Sequence, residues 1–322
     1  MRTTIISGAV AAALSLMCVL QPATAQSNRA TLSQNGANNL ANIEQMASAQ
    51  NAIATVTQTG NNNTVGTPGG AAGIMQTNSQ NVTATINQNG NANQAAVAQD
   101  DVQNSTAAFT QLGNNNQVVA RQEAVTTANI SARQDGTSNF AEFAQFEVAT
   151  GTVNTRQVGT DNELSVRQER ATNTSPVVEQ QGTANVANVQ QVLDYASNPS
   201  IYQNGMRNEA NMVQNNARET QNMTVRQTGM DNRATVSNSG MRNNSIVTQT
   251  GNNNLATVNK TQNFNESEIR QLGNLNTATI TQAGTAMTAA QPNVAMIMQL
   301  GNNGNAALAQ TGGNNRATIV QR

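Results

Sequence analysis

A short motif that returns in fixed register constrains this chain more than any other feature: Gln-x-Gly-x-x-Asn, then apolar residues two and four positions past the Asn, then usually another Gln. One clear copy is Gln88, Gly90, Asn93, Ala95, Val97 and Gln99. The same triplet recurs as Gln34, Gly36, Asn39; Gln58, Gly60, Asn63; Gln111, Gly113, Asn116; Gln134, Gly136, Asn139; Gln157, Gly159, Asn162; and Gln180, Gly182, Asn185. It continues as Gln203, Gly205, Asn208; Gln227, Gly229, Asn232; Gln249, Gly251, Asn254; Gln271, Gly273, Asn276; and Gln310, Gly312, Asn315. Asn238 opens one further copy in place of Gln, and the copy that opens at Gln299 has Gly304 in place of Asn. Five successive intervals from Gln88 to Gln203 are all 23 residues. A period of this size, held this strictly, predicts a stack of supersecondary units rather than a globule.

Within a copy the Asn, the two apolar residues and the closing Gln are spaced by two, so they share one face of an extended strand. The segment that leads into the next copy alternates in the same way, as in Val82, Ala84, Ile86 and Gln88. Each unit therefore predicts two strands joined by turns. The fold class expected is all-β: a β-solenoid of stacked strand-turn-strand repeats, two facing parallel sheets in a cross-β-like arrangement, with about 22–23 residues per rung. Spacings of 11 residues at Gln227, Asn238, Gln249 and Lys260, and again at Gln299, Gln310 and Gln321, put the motif on both arms of those rungs. The register places Gln111 over Gln134 over Gln157. It turns Ala141 and Phe143 inward, and Phe140 and Glu142 outward.

Composition explains why the amides must take part in the core. Apolar residues are 37% of the chain and aromatic residues 2%, with no Trp, which is poor material for a conventional interior. Any compact state must bury Gln and Asn, and buried amides need partners. In-register stacking supplies them, because rungs about 4.8 Å apart let each amide donate to the identical residue one rung away. The Gln, Gly and Asn triplets named above are thus the candidate structural ladder and self-assembly residues.

The chain divides into a signal peptide over 1–25, a short segment over 26–33, and the repeat solenoid over 34–322, with loop insertions expected near 64–75 and 284–298. The leader is read from Met1 and Arg2, the apolar run from Ile5 to Leu20, and the small residues Ala23, Thr24 and Ala25. That run is about 16 residues against the ~20 a membrane span needs, so no transmembrane segment is expected in the mature chain. Cys18 is the only cysteine and lies in the leader, which predicts a mature chain without disulfides. The insertions are read from Gly66, Pro68, Gly69 and Gly70, and from Pro292. Lys260, standing where a closing Gln belongs, is expected to be an exposed side chain at a loop.

Charged residues are 10% of the chain and the net charge is −1, which argues against nucleic acid as a partner. The chain contains no His, and carboxylates such as Glu123, Asp135, Glu142, Glu147, Asp161, Glu163 and Glu169 fall at outward or turn positions. No enzymatic activity, cofactor or metal site is expected. Isolated turn charges such as Arg207, Asp231 and Arg242 fit two roles equally, slowing premature stacking or solubility alone. Two other readings fit parts of the pattern. A Gln/Asn-rich chain can be disordered, as the secreted monomer can be before assembly. A soluble monomeric β-solenoid, such as an ice-binding protein or a surface adhesin domain, would need capped ends, whereas repeat material here runs through Ala317, Thr318, Ile319, Val320 and Gln321.

The spacing Gln-x-Gly-x-x-Asn-x-Ala-x-x-x-Gln resembles the curlin repeat, and the resemblance extends from Gln34 to Gln321. It implies a curli fibre subunit, either major subunit or nucleator. A bacterial functional amyloid of this kind is secreted through a dedicated outer-membrane pore of a Gram-negative cell and polymerises as an extracellular, cell-surface fibre. The implied partners are further copies of the chain, a related nucleator or major subunit, and the pore. The implied role is cell adhesion and biofilm formation.

Overall fold

The computed structural model describes residues 4–5, 27–46, 48–66, 73–216, 219, 221–284 and 292–322. It divides into two compact units, residues 1–161 and 162–322. Each is a two-sheet parallel β-solenoid, and the described residues contain no helix. In the first unit one sheet is formed by Arg29–Asn35, Ile53–Thr59, Thr83–Asn91, Thr106–Asn114, Ala128–Thr137 and Gly151–Thr160. These are the first arms of successive rungs. The second arms include Ile43–Gln45, Ile74–Thr77, Gln94–Gln103, Gln117–Thr126 and Phe140–Phe146. In the second unit the first arms run from Val177–Thr183 to Arg316–Gln321, and the second arms from Glu163–Glu169 to Asn305–Thr311.

Among the described residues every strand pairing is parallel, and between rungs it joins equivalent positions. Gln111 pairs with Gln88 on one side and Gln134 on the other, and Gln134 pairs in turn with Gln157. Asn116 and Asn139 close the same two rungs on the turn side. The inward set follows the period of two: Ala141 and Phe143 are buried, Glu142 is exposed and Phe140 is half-buried.

Between the sheets lie Ala, Val and Ile, with two Phe rings that stack at 6.0 Å between centroids and 23° between planes. Phe109 pairs across the first sheet with Ala132, and Ala120 pairs across the second with Phe143. One of these two rungs thus carries Phe against Ala and the next carries Ala against Phe. The volume per rung stays constant while large and small side chains interdigitate.

The turns explain the invariant Gly of the motif. Gly113 has φ of +104°, and a Cβ built on it would lie 2.1 Å from the carbonyl oxygen of Gly136 in the next rung. Only Gly allows this approach in this conformation. The residue just before the Asn is left-handed as well, for example Asn115 at φ 56° and Ser138 at φ 57°. Asn bears that conformation at lower cost than most residues.

Several expected boundaries move. The first strand of the repeats begins at Arg29, ahead of the boundary expected at 34, because inward alternation starts before the motif's Gln, and Thr4–Ile5 pairs with it in parallel. The insertion expected over 64–75 is ladder at both ends, since Thr64–Val65 and Ile74–Thr77 pair in the second sheet; residues 67–72 lie outside the described residues. In the insertion expected over 284–298, Asn293–Gln299 is a regular strand paired with Asn265–Gln271. Asn293, Ala295, Ile297 and Gln299 keep the inward pattern, and Pro292 precedes the strand where its missing donor does no harm. The signal peptide assigned to 1–25 falls outside the described residues apart from Thr4 and Ile5.

Candidate functional site: the buried amide ladders

The inward Gln of each first arm donates its Nε2–H to the Oε1 of the next. In the first unit Gln58 bonds Gln88 at 2.8 Å, Gln88 bonds Gln111 at 2.8 Å, and Gln111 and Gln134 bond Gln134 and Gln157 at 2.9 Å. In the second unit the column runs Gln180, Gln203, Gln227, Gln249, Gln271, Gln299 and Gln321, with bonds of 2.7 to 2.9 Å. Each Nε2 also reaches a backbone carbonyl of the opposite sheet, as from Gln111 to Gln94 at 2.9 Å. The Gln ladder therefore ties rung to rung and sheet to sheet.

The motif's Asn makes a second ladder of opposite sense. Asn116 donates its backbone N–H to Asn93 Oδ1 at 3.0 Å and its Nδ2–H to the same oxygen at 3.1 Å, while Nδ2 also reaches the carbonyl of Gly136 at 2.9 Å. One Asn thus spans three rungs. The pattern repeats through Asn63 and Asn139 in the first unit and Asn185, Asn208, Asn232 and Asn254 in the second. Gly304, without an amide side chain, keeps only its backbone N–H bond to Asn276 at 2.9 Å.

The second arms carry their own Gln column, which the first-arm register brings into view: Gln76, Gln99, Gln122 and Gln145 in the first unit, and Gln168, Gln191 and Gln214 in the second. Gln310 belongs here, accepting from Gln282 at 2.8 Å, and Asn315 donates its N–H to Asn293 Oδ1 at 2.9 Å. The triplet Gln310, Gly312, Asn315 is therefore on the second arm and does not continue the Gln34 series. The 11-residue spacing was the signal for this.

Lys260 is the main correction. It is fully buried in the second-arm column, paired in register with Asn238 and Gln282. Its Nζ donates to the backbone carbonyls of Asn244 and, at 3.0 Å, Asn265. A long aliphatic stem fills the space of a Gln, and the two carbonyls receive the head that no water can reach. Burial drives its pKa well below the usual lysine value.

Sequence reasoning also missed Asp194, which is buried and accepts from Gln191 Nε2 at 2.8 Å and Ser197 Oγ at 2.6 Å. Desolvation outweighs these bonds and raises its pKa from 3.8 to about 6. The signal was available in the repeat: three residues past the second-arm Gln, other rungs carry Val102, Val125, Val148 and Ala171. The turn charges form exposed ion pairs between rungs. Arg207 and Asp231 meet across adjacent rungs through paired contacts of 2.7 and 2.8 Å. Arg242 likewise meets Glu219, and Arg233 meets Glu209 at 3.1 Å.

Among the described residues no group of three or more His, Cys, Asp or Glu side chains could hold a metal ion, and no helix is long and apolar enough to cross a membrane. No family model matches the chain, and no curated protein matches it. What the arrangement can do chemically is repeat itself: each rung offers its neighbours the amide donors and acceptors that its neighbours offer it.

Proposed function

We propose that this chain is the structural subunit of an extracellular curli-like amyloid fibre, non-enzymatic and self-assembling, that serves cell adhesion and the biofilm matrix. The observation that carries this reading is the interchangeability of rungs. Gln111 meets Gln134 as Gln134 meets Gln157, with the same bond length of 2.9 Å, so the lattice that joins rungs within a chain is equally suited to join rungs of different chains. The curlin-like spacing of the motif supports the same reading, and with it secretion by a Gram-negative cell through an outer-membrane pore and partnership with a related subunit. Nucleic acid is not a partner on this reading. The test is to express residues 26–322, dilute them from denaturant and follow thioflavin fluorescence with electron microscopy. Unbranched thioflavin-positive fibres are expected; a folded β-rich monomer that stays soluble at high concentration contradicts the proposal and favours a monomeric solenoid.

A further inference from the structure

The second-arm Gln ladder of the 162–322 unit is interrupted over two successive rungs, those of Asn238 and Lys260. Gln214 Nε2 has no partner among the described residues, because the next member of the column is the shorter Asn238, whose amide turns to the carbonyl of Asn243 at 3.2 Å. Beyond Asn238 stands Lys260, and beyond that Gln282, whose Oε1 is buried without a partner among the described residues. In an unbroken column a Gln at 260 would donate to that oxygen. The lysine instead spends its donors on two backbone carbonyls.

The strands packed against Lys260 are Arg233–Ser239 and Thr277–Ala283 in its own sheet, and Asn244–Asn252 and Asn265–Leu272 opposite. Their charged residues are Arg233, Glu266, Glu268 and Arg270, all at outward positions, with Glu266 the one that favours the ammonium. The inward neighbours Val236, Asn238, Ser245, Val247, Ser267 and Ile280 are neutral. Among the described residues no counter-charge faces Nζ in the interior.

We propose that Lys260 is a proton-operated gate in the stack: closing the rungs buries its Nζ against two backbone carbonyls with no interior counter-charge among the described residues, which favours the neutral amine and couples closure of this segment to pH. This goes beyond the fibre proposal and holds whether the folded species is a fibre or a monomer. In the open chain the amine is an ordinary lysine and carries its proton below about pH 10.4. Folding moves it into a site that stabilises the neutral form, so acid opposes closure and rising pH favours it, by up to tenfold in the closure equilibrium per pH unit. The effect ends where the folded-state amine itself protonates. Asp194, with its value near 6, is ionised in both states above pH 7 and adds no slope there.

The measurement is proton release when the chain folds on dilution from urea in weakly buffered solution at pH 7, 8 and 9, with circular dichroism confirming strand formation. Wild type is expected to release up to about one proton per chain more than Lys260→Gln and Lys260→Met at one or more of these values. Lys260→Gln, which restores the amide, is also expected to fold faster at pH 7. Equal release by wild type and either folded variant at all three values overturns the proposal. Should a variant not fold, absence of any release by wild type across the range overturns it alone.

Discussion

At the residue scale this fold rests on matched buried amides, and its exceptions are informative. A buried amide left unpaired costs about 1–3 kcal/mol, so the regular Gln and Asn columns are tolerable because an identical residue lies one rung away. Asp194 breaks the identity and so brings pH dependence. Its folded-state pKa of about 6 lies above the 3.8 of the open chain, so the folded state binds the proton more tightly. The stability tied to that proton is fully present below about pH 4 and is lost as pH rises to about 6, at roughly 1.4 kcal/mol per unit or ~3 kcal/mol in all. Asp194→Asn is expected to remove this slope, which denaturant midpoints at pH 4, 5, 6 and 7 would reveal; an unchanged slope contradicts the assignment. Gly113 is fixed by geometry instead of pairing. Gly113→Ala is expected to cost more than about 2 kcal/mol, from the strained φ and the clash with Gly136. A Gly113→Ala chain with wild-type urea resistance would show that the turn can move apart.

At the scale of the strand and rung, volume is matched in pairs. Phe109→Ala should cost about 3–5 kcal/mol by opening a cavity, whereas adding Ala120→Phe returns the ring to the same rung from the other sheet. Thermal unfolding of the single and double variants checks this, with recovery of at least half the loss expected in the double. Strand positions were legible in the sequence because the period of two was unbroken, and the alternation around Ala141 and Phe143 named the inward face correctly. Lys260 was not legible, since a lone lysine in a strand pattern ordinarily points to solvent; its burial depends on two carbonyls, of Asn244 and Asn265, that only the stacked structure brings together. The segment 293–299 was misjudged for a different reason. Pro292 suggested a loop, but a proline just ahead of a strand leaves the strand's own donors intact.

At the scale of the whole molecule, repetition takes the place of a conventional core. A chain with 2% aromatic residues buries little apolar area per residue, and the amide ladders complete what the Ala, Val and Ile columns begin. On the fibre proposal, the same property makes a rung an adequate template for a rung of another chain. The central claim is that these ladders drive stacking between chains. Its most direct test is seeded elongation, followed by thioflavin fluorescence, of the double variant Gln134→Leu/Asn139→Val against wild type and against the turn control Ser138→Asn, which suits the left-handed backbone there. The double variant removes the Gln111–Gln134 and Gln134–Gln157 amide bonds and the Nδ2 bonds of Asn139 to Asn116 and Gly159, at about 1–3 kcal/mol for each group left unpaired, and is expected to elongate at least about tenfold more slowly, while the control matches wild type. Elongation of the double variant at the wild-type rate would contradict the ladder account of assembly.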